Sequence, residues 1–388
     1  MAPLAAGLGF AWHTQARLFD GAGQAVARGA PLSGVIADRP AGAALAALGA
    51  PAFRIGGEGP APEAGPQPVF ETLTGGSSGA PRRIRRTQAS WIASFGVNAG
   101  LFGIRPDCRV AILGQLIHSL ALYGAVEALH LGAELHLLDG LRPDRQRDAL
   151  AQRRVALLYA TPAQLRLLAS AGGPSLPDLR VALVGGSKLD AALRKAMAQM
   201  APLCAVHEFY GAAEASFITL AGPDTPEESV GAPYPGVDLR VIDGEVWVKS
   251  PYLFEAYASD AGSARWQDGW LSVGERGALR DGQLYLSGRV SRMVKVADQA
   301  VYPEEIETFL LSQAGVTQAA VLPRPDGLRG VHLVAVLQGD TGQALAILQA
   351  LRAKFGPLKA PKSLIWRETF ALLPSGKPDL VRLERDLP

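Results

Sequence analysis

Apolar segments and amphipathic segments alternate along residues 109–211, and this alternation constrains the fold more than any other feature of the sequence. Five short apolar segments have the composition of buried strands, and the segments between them have the spacing of helices. Strand–helix repeats of this length predict a parallel sheet covered by helices. The predicted strands are RVAILG (109–114), AELHLL (133–138), VALLYA (155–160), LRVALVGG (179–186) and AVHEFYG (205–211), and the predicted helices are 118–131, 144–153, 161–170 and 190–200.

The rest of the chain has a different pattern. Two hairpins are predicted, one around Asp243-Gly244 and one around Asp281-Gly282, so an antiparallel section follows the parallel sheet. The last 100 residues have the pattern of a compact α+β module, with a helix opened by Pro303 and another at 342–355. Residues 1–68 have weak periodicity, with some helix expected near 41–50. We therefore predict an α/β protein with a large N-terminal region (1–288) and a small α+β C-terminal domain (289–388).

Composition excludes several classes of protein. A net charge of +2 gives no general attraction to nucleic acid. Cys108 and Cys204 lack metal-type spacing and are typical of buried thiols in a reducing compartment. The most apolar segment, 110–138, carries three histidines and two glutamates, so it predicts a buried strand–helix–strand and no membrane span. The N-terminus lacks the basic residues of a signal peptide, and a cytoplasmic location is expected.

The segment LTGGSSGAPRRIRR, residues 73–86, combines small residues, hydroxyls and four arginines. Glycine-rich backbone can form a concave anion site, so a loop that holds phosphates is one interpretation. A solvated basic surface loop is another. A Walker A loop is disfavoured because the segment lacks Gly-Lys-Ser/Thr. The segment also matches G-x-S-x-G, which would make Ser77 a hydrolase nucleophile, although Pro81 and the arginine pairs do not favour the helix that this motif requires.

Six motifs, in order, resemble those of the adenylate-forming enzymes, which include acyl- and aryl-CoA synthetases, luciferases and the adenylation domains of peptide synthetases. TGGSSGAPR resembles T-S-G-S-T-G-x-P-K, VGGSKLD resembles G-G-x-x-L, and FYGAAEAS resembles Y-G-x-T-E. GWLSVGERGAL resembles W-x-x-T-G-D-x-G, GRVSRMVKVADQAVYPEEIE resembles the domain-junction motif, and LPSGKPD resembles the loop of the terminal catalytic lysine. The resemblance runs from about residue 70 to the C-terminus. It implies a mobile C-terminal domain and ATP-dependent activation of a carboxylic acid.

The resemblance also implies roles for individual residues. Lys377 would bridge the substrate carboxylate and the α-phosphate of ATP, Glu214 would hold Mg²⁺, and Arg289 would reach the ribose and phosphate. Glu275 would hold the ribose hydroxyls, and Ser291 would be the hinge. His118 and His207 would line the acid pocket, although His118 is equally well explained as a core histidine. The phosphate loop would comprise Thr74, Gly75, Gly76, Ser77, Ser78, Gly79 and Arg82, and the adenine site Gly185, Gly186, Tyr210 and Gly211.

Four departures from the family pattern affect these expectations. The phosphate loop begins at residue 74, so the N-terminal region is expected to be reduced, with sheet edges that a homodimer could cover. Ala213 replaces a threonine and Glu275 replaces an aspartate. The fourth departure is at the domain junction, where Ser291 replaces the usual hinge residue and Asp298 replaces a glycine on the path of the thiol.

The thiol acceptor is therefore left open between CoA and the phosphopantetheine of a separate acyl carrier protein, with poor use of CoA as a hypothesis. The small residues and aromatic side chains around the expected pocket favour an aromatic or medium-length apolar acid. Two other functions are kept as alternatives: a degenerate relative that binds nucleotide or acyl ligand without turnover, and a serine hydrolase that uses Ser77.

Overall fold

The computed structural model describes residues 9–74, 82–222, 224–258, 264–297, 299–327, 330–373 and 377–387. Within these residues the protein is a mixed α/β structure with a large N-terminal sheet region and a smaller C-terminal α+β unit. The predicted fold class is confirmed. The exact domain boundary near residue 289 stays a prediction, and Arg289 is the last residue of a strand.

A parallel sheet dominates the N-terminal region. Eight strands of the described chain form it; the first six in sheet order are parallel to one another, and the last two are added by antiparallel pairing. The predicted segments all contribute strands, which confirms the interpretation of residues 110–138 as a buried strand–helix–strand. In sheet order the strands are Arg17–Phe19, Glu134–Leu137, Arg109–Ile112, Leu157–Ala160, Val181–Val184, Ala205–Ala212, Ser216–Ala221 and Ala232–Pro233.

Helices cover both faces of this sheet because its strands are apolar on both sides. Val110 and Ile112 pack into one core, and Ala111 and Leu113 pack into the other. The helices Gln88–Phe102 and Ser119–His130 contribute to the first core, and Pro143–Gln152, Pro162–Ser170 and Ala191–Met200 contribute to the second.

The helix Gln88–Phe102 was not among the predicted elements. It begins after Thr87, whose side chain accepts a hydrogen bond from the Ser90 N–H at 3.2 Å. Its buried face carries Ser94 and Asn98, both fully buried, alongside aromatic residues. Because polar residues lie on the buried face, the hydrophobic periodicity that normally reveals a helix is weak here.

Two further sheets complete the N-terminal region. One contains, in order, Ala256–Tyr257, Arg83–Thr87, Val69–Leu73, Ala52–Ile55 and Gly34–Ile36. Two short helices, Ala41–Ala44 and Leu45–Ala47, connect the strands Gly34–Ile36 and Ala52–Ile55. The other is antiparallel and contains Arg265–Gln267, Trp270–Ser272, Glu245–Lys249, Glu275–Arg280 and Gln283–Arg289, with Asp238–Ile242 paired to Glu245–Lys249. Both predicted hairpins are present, and Asp243-Gly244 and Asp281-Gly282 have positive φ at their turns.

The C-terminal unit has its own core. Three strands, Val316–Asp326, Gly330–Gly339 and Ser363–Trp366, form a sheet against which Pro303–Leu311 and Ala344–Lys359 pack. A ribbon of Val294–Val296 and Gln299–Val301 and the terminal helix Leu380–Arg385 complete it, with 3₁₀ turns at Val290–Arg292 and Thr341–Gln343. Ser291, the predicted hinge residue, lies in the first of these turns.

Candidate active site

Five polar residues from distant parts of the sequence lie together between the N-terminal sheets and the C-terminal unit. The charges of Glu214, Glu275 and Arg289 all act on the Lys377 ammonium, and the same three groups act on the Tyr210 hydroxyl. We call these five residues the charged centre. The structure thus brings together the predicted lysine, its predicted acidic neighbours and the predicted arginine.

Lys377 is held by backbone contacts within the C-terminal unit. The Leu373 N–H donates to the Lys377 carbonyl at 2.8 Å, and Leu372 pairs with Pro378. Burial, and next the positive charge of Arg289, lower the pKa of Lys377 to about 8 against the opposing effects of Glu275 and Glu214. The charged form of Lys377 is therefore disfavoured in the free protein, and an additional negative charge beside it would stabilise that form.

Glu275 and Arg289 face each other across an antiparallel strand pair. Their register places them directly opposite, and Arg289 Nε donates to Glu275 Oε1 at 2.8 Å. Burial is the largest single influence on the pKa of Arg289 and lowers it, but the charge and hydrogen bond of Glu275, with smaller contributions from Tyr210 and Glu304, outweigh burial and raise the pKa. Arg289 is thus a permanent cation with a fixed orientation.

The Tyr210 hydroxyl is buried and has no hydrogen-bond partner within the described part of the chain. Burial, and next the charge of Glu275, raise the pKa of Tyr210 well above its ordinary value, so the group is a neutral phenol. Leaving a buried polar group unpaired costs about 1–3 kcal/mol. A polar ligand bound in the charged centre would remove that cost.

Glu214 lies in the tight turn between the strands Ala205–Ala212 and Ser216–Ala221, here called the Glu214 turn (residues 212–216). The Tyr257 hydroxyl donates to Glu214 Oε1 at 2.9 Å, and the Phe254 N–H donates to the Glu214 carbonyl at 2.7 Å. Gly211 is required before the turn, because a Cβ there would lie 2.1 Å from the Ser216 carbonyl oxygen.

The donor set at Glu214 fits a magnesium ion that is shared with a phosphate ligand. Glu214 Oε2 forms no hydrogen bond with any residue that the structure describes, so it is available as a ligand oxygen. No group of three or more metal-ligating side chains occurs among the described residues. Mg²⁺ often takes only one or two carboxylates and completes its octahedron with phosphate and water. One carboxylate beside a phosphate site meets that requirement.

The base of the predicted phosphate loop lies close to Glu214. The Thr74 N–H donates to the Arg82 carbonyl at 2.8 Å, and the Arg82 N–H donates to Thr74 Oγ1 at 2.9 Å. The Arg82 guanidinium lies over the Tyr257 ring, 5.9 Å from its centroid, and Tyr257 is the residue that binds Glu214. The predicted phosphate-loop residues Gly75, Gly76, Ser77, Ser78 and Gly79 lie outside the described residues, as does Asp298.

The four arginines within residues 82–86 have different contacts in the structure. Arg83 donates to the Glu58 carbonyl at 2.5 Å, and Arg85 pairs with Glu255 at 3.3 Å. Arg86 is fully buried. Arg82, by contrast, directly follows the predicted phosphate loop, and its role in binding phosphate stays a prediction.

Two glycines follow the strand Val181–Val184 at the predicted ligand-binding edge. A Cβ on Gly185 would lie 2.3 Å from the Phe209 ring, so glycine is needed for this close contact. Gly186 has a φ of +104°. Their predicted role at the adenine stays a prediction.

The two predicted pocket histidines occupy different environments. His118 precedes the helix Ser119–His130 and is bridged to Leu73, one residue before Thr74. His207 packs against Phe102, with ring centroids 5.1 Å apart. Burial lowers the pKa of both imidazoles, so both are neutral at pH 7. Their role in binding an acid stays a prediction.

Sequence reasoning missed two residues at this site. Tyr257 lies 43 residues from the carboxylate that it binds, and no motif marks it. Arg86 was recognised only as part of a basic run, because a sequence does not show which arginine of a run is buried.

Comparisons with known proteins agree on one family. The model of the AMP-binding enzyme family matches residues 15–258, and the model of its C-terminal domain matches residues 305–377. The uncharacterized acyl–CoA ligase YhfT of Bacillus subtilis is 32% identical over 335 residues, covering 82% of this chain and 68% of the relative. The indoleacetate–CoA ligase of Aromatoleum aromaticum is 28% identical over 344 residues, covering 81% of this chain and 67% of the relative.

A solved structure has the same fold. ATP-bound MatB from Rhodopseudomonas palustris superposes with a TM-score of 0.73 at 22% identity, covering 84% of this chain and 70% of that chain. Among the described residues, no helix has the length and apolar character needed to span a membrane.

Proposed function

This chain belongs to the AMP-binding enzyme family, the adenylate-forming enzymes, and on that premise we propose that it activates a carboxylic acid with ATP and transfers the acyl group to the thiol of CoA. In the first step a carboxylate oxygen attacks the α-phosphorus, and the bond to pyrophosphate breaks. In the second step the thiolate attacks the acyl carbon and displaces AMP, while the thiol proton is lost to solvent. The observation that carries the proposal is the position of Lys377 inside the charged centre.

Lys377 is proposed to stabilise the first transition state. Two anions, the carboxylate and the α-phosphate, must approach each other, and a cation between them lowers the barrier. The ammonium lies beside Arg289, and these two cations together would face the phosphate. The lowered pKa of the lysine supports the assignment, because groups with perturbed pKa values concentrate at functional sites.

Glu275, Arg289 and Tyr210 are proposed to hold the nucleoside. Glu275 is buried and has a fixed cation on one side, so its carboxylate can accept ribose hydroxyls without losing its charge. The unpaired Tyr210 hydroxyl offers a hydrogen-bond donor and an acceptor to the same ligand. Gly185, Gly186 and Gly211 would border the adenine.

Glu214 is proposed to hold Mg²⁺ against the phosphates of ATP. When bound, the ion would neutralise phosphate charge and orient the pyrophosphate leaving group. The Tyr257 hydroxyl fixes the carboxylate from the side of Oε1 and leaves Oε2 for the ion. Thr74 and Arg82, which hydrogen-bond each other at the base of the predicted loop, are proposed to bind the terminal phosphates.

The acid is proposed to be an apolar monocarboxylic acid. His118 and His207 are neutral at pH 7 and supply no cation for a second carboxylate. Among the relatives, one is named an indoleacetate–CoA ligase and another a putative long chain fatty acid–CoA ligase, which supports an aromatic or aliphatic apolar acid. The same names support CoA as the acceptor, while transfer to a carrier protein and poor use of CoA stay hypotheses.

The test is ATP–pyrophosphate exchange with a panel of acids, followed by acyl-CoA formation with the best acid. Replacing Lys377 by alanine should lower the exchange rate by about 10²–10³-fold. Lys362→Ala is the matched control, since Lys362 is an exposed lysine of the same unit, and it should exchange at the wild-type rate. Absence of exchange with every acid, in a protein that binds ATP, would favour the non-catalytic alternative. Rapid acyl-CoA formation would exclude the hypothesis of poor CoA use.

A further inference from the structure

Arg86 is a buried cation that lies directly behind the Glu214 turn. It belongs to the strand Arg83–Thr87 and is 0% exposed. Two of its hydrogen bonds go to backbone carbonyls, those of Ala213 and Tyr252. Two others go to hydroxyls, Ser216 Oγ at 2.8 Å and Ser90 Oγ at 3.3 Å.

These contacts hold the Glu214 turn on both sides of the carboxylate. Ala213 precedes Glu214, and Ser216 follows it by two residues with a left-handed φ of 57°. The planar guanidinium donates in several fixed directions at once, a geometry that a lysine ammonium does not reproduce. The Arg86 guanidinium therefore holds the turn that carries Glu214, together with the Phe254 N–H and the Tyr257 hydroxyl.

The charge of Arg86 also has an unusual setting. Within the described part of the chain its hydrogen bonds all go to neutral oxygens, and the charge that acts on it most strongly is that of Glu214. Burial outweighs the opposing charge of Glu214 and lowers the pKa of Arg86 to about 9. A fully buried cation without a directly bonded carboxylate is costly to retain on structural grounds alone.

We propose that Arg86 is a positioning residue for magnesium: it fixes the Glu214 turn so that Glu214 Oε2 points to the ion that accompanies ATP. This inference rests on the proposed function, since it takes Glu214 as the protein ligand of that ion. Arg86 itself touches neither nucleotide nor ion. Residues of this kind, which orient a ligand from behind, typically affect metal affinity by about 10–100-fold.

The experiment measures ATP binding by calorimetry, once with excess Mg²⁺ and once with EDTA, and needs no knowledge of the acid. The quantity compared is the factor by which Mg²⁺ tightens ATP binding. Glu214→Gln should lower this factor by about tenfold or more, and Arg86→Gln should lower it by a similar amount. The double variant should show no further loss, because both substitutions remove the same interaction. Arg85→Gln, at the neighbouring and partly exposed position, is the control and should keep the wild-type factor.

Two results would overturn the inference. One is that Mg²⁺ tightens ATP binding by the same factor in Arg86→Gln as in the wild type. The other is that the fold-loss of this factor in the double variant equals the product of the fold-losses in the two single variants. The second pattern is what a purely structural role of Arg86 would give. If Arg86→Gln does not fold, Ser216→Ala removes a single hydrogen bond of the guanidinium and should lower the factor by about threefold; an unchanged factor there would equally overturn the inference. Failure of the wild-type protein to bind ATP would instead refute the proposed function.

Discussion

Binding of ATP should make the protein take up a proton, and Lys377 is the group that takes it. In the free protein its pKa is lowered to about 8, chiefly by burial and next by the charge of Arg289. A triphosphate placed beside the ammonium adds negative charge, which favours the charged form and raises the pKa again. At a pH near 8 the lysine therefore changes from partly neutral to fully protonated when ATP binds.

The size of the effect follows from the pKa. With a value of about 8, the neutral fraction of Lys377 is about 0.1 at pH 7, about 0.5 at pH 8 and about 0.9 at pH 9. If ATP restores the ordinary value of 10.5, the uptake is close to these fractions at each pH. The uptake should thus rise steeply with pH, whereas the protonation of ATP itself decreases over the same range.

Calorimetry measures this directly. ATP is titrated into the protein at pH 7, 8 and 9, in buffers that differ in ionisation enthalpy, and the dependence of the heat on that enthalpy gives the number of protons taken up. Lys377→Met removes the ammonium and keeps the length of the side chain, so its uptake is the background from ATP and from all other groups. Lys362→Met, an exposed lysine in the same unit, should behave like wild type.

The reasoning is refuted if wild type and Lys377→Met take up equal numbers of protons at all three pH values. It is also refuted if the difference between them does not increase from pH 7 to pH 9. Either result would mean that the ammonium is not enclosed beside the nucleotide, or that its pKa in the free protein is ordinary.

Three further predictions concern single substitutions. In Gly185→Ala the new Cβ would lie 2.3 Å from the Phe209 ring, so ATP affinity measured by titration should fall by about tenfold, the effect of an overpacked contact, and Phe209→Leu in the same protein should restore it. Glu127 is fully buried, and burial raises its pKa to about 7. The folded state then binds more protons than the unfolded state between pH 4.5 and 7. The free energy of unfolding of the wild-type protein should therefore decrease by on the order of 3 kcal/mol as the pH rises from 4.5 to 7. Urea unfolding at several pH values should show this decrease, and Glu127→Gln should not show it. Glu275→Gln should bind ATP about tenfold more weakly and lose the preference for ATP over 2′,3′-dideoxy-ATP; an unchanged preference would contradict the ribose assignment.

The buried polar network around Glu127 explains why the helix Gln88–Phe102 could not be predicted from its sequence. Asn98 donates to Glu127 at 2.8 Å, and Ser94 bonds the Tyr123 hydroxyl at 2.6 Å. Ser94 and Asn98 resemble solvent-facing residues in the sequence, although their partners are on the neighbouring helix Ser119–His130. A hydrophobic pattern cannot identify a buried face whose polar groups are satisfied by another element.

The arginine run makes the same point at the site. The four arginines are nearly adjacent in sequence, and their charges are indistinguishable there. In the structure Arg82 lies at the base of the predicted phosphate loop, Arg83 and Arg85 are used in contacts with acidic residues and carbonyls, and Arg86 is buried. Pairing of the strand Arg83–Thr87 with its neighbours determines which direction each side chain takes.

The sequence alone determined the layered α/β fold, the two hairpins, the compact C-terminal unit and the family, because periodicity, turn residues and motifs are local and are preserved in the order of the chain. It also determined which charged groups to expect at the site. Only the tertiary structure decided that Tyr257 fixes Glu214 and that Arg86 holds the turn around it, since these partners are 43 and 127 residues apart. The lowered pKa of Lys377 was likewise a tertiary result, because burial and the charges of three distant residues act on that ammonium only after the chain has folded.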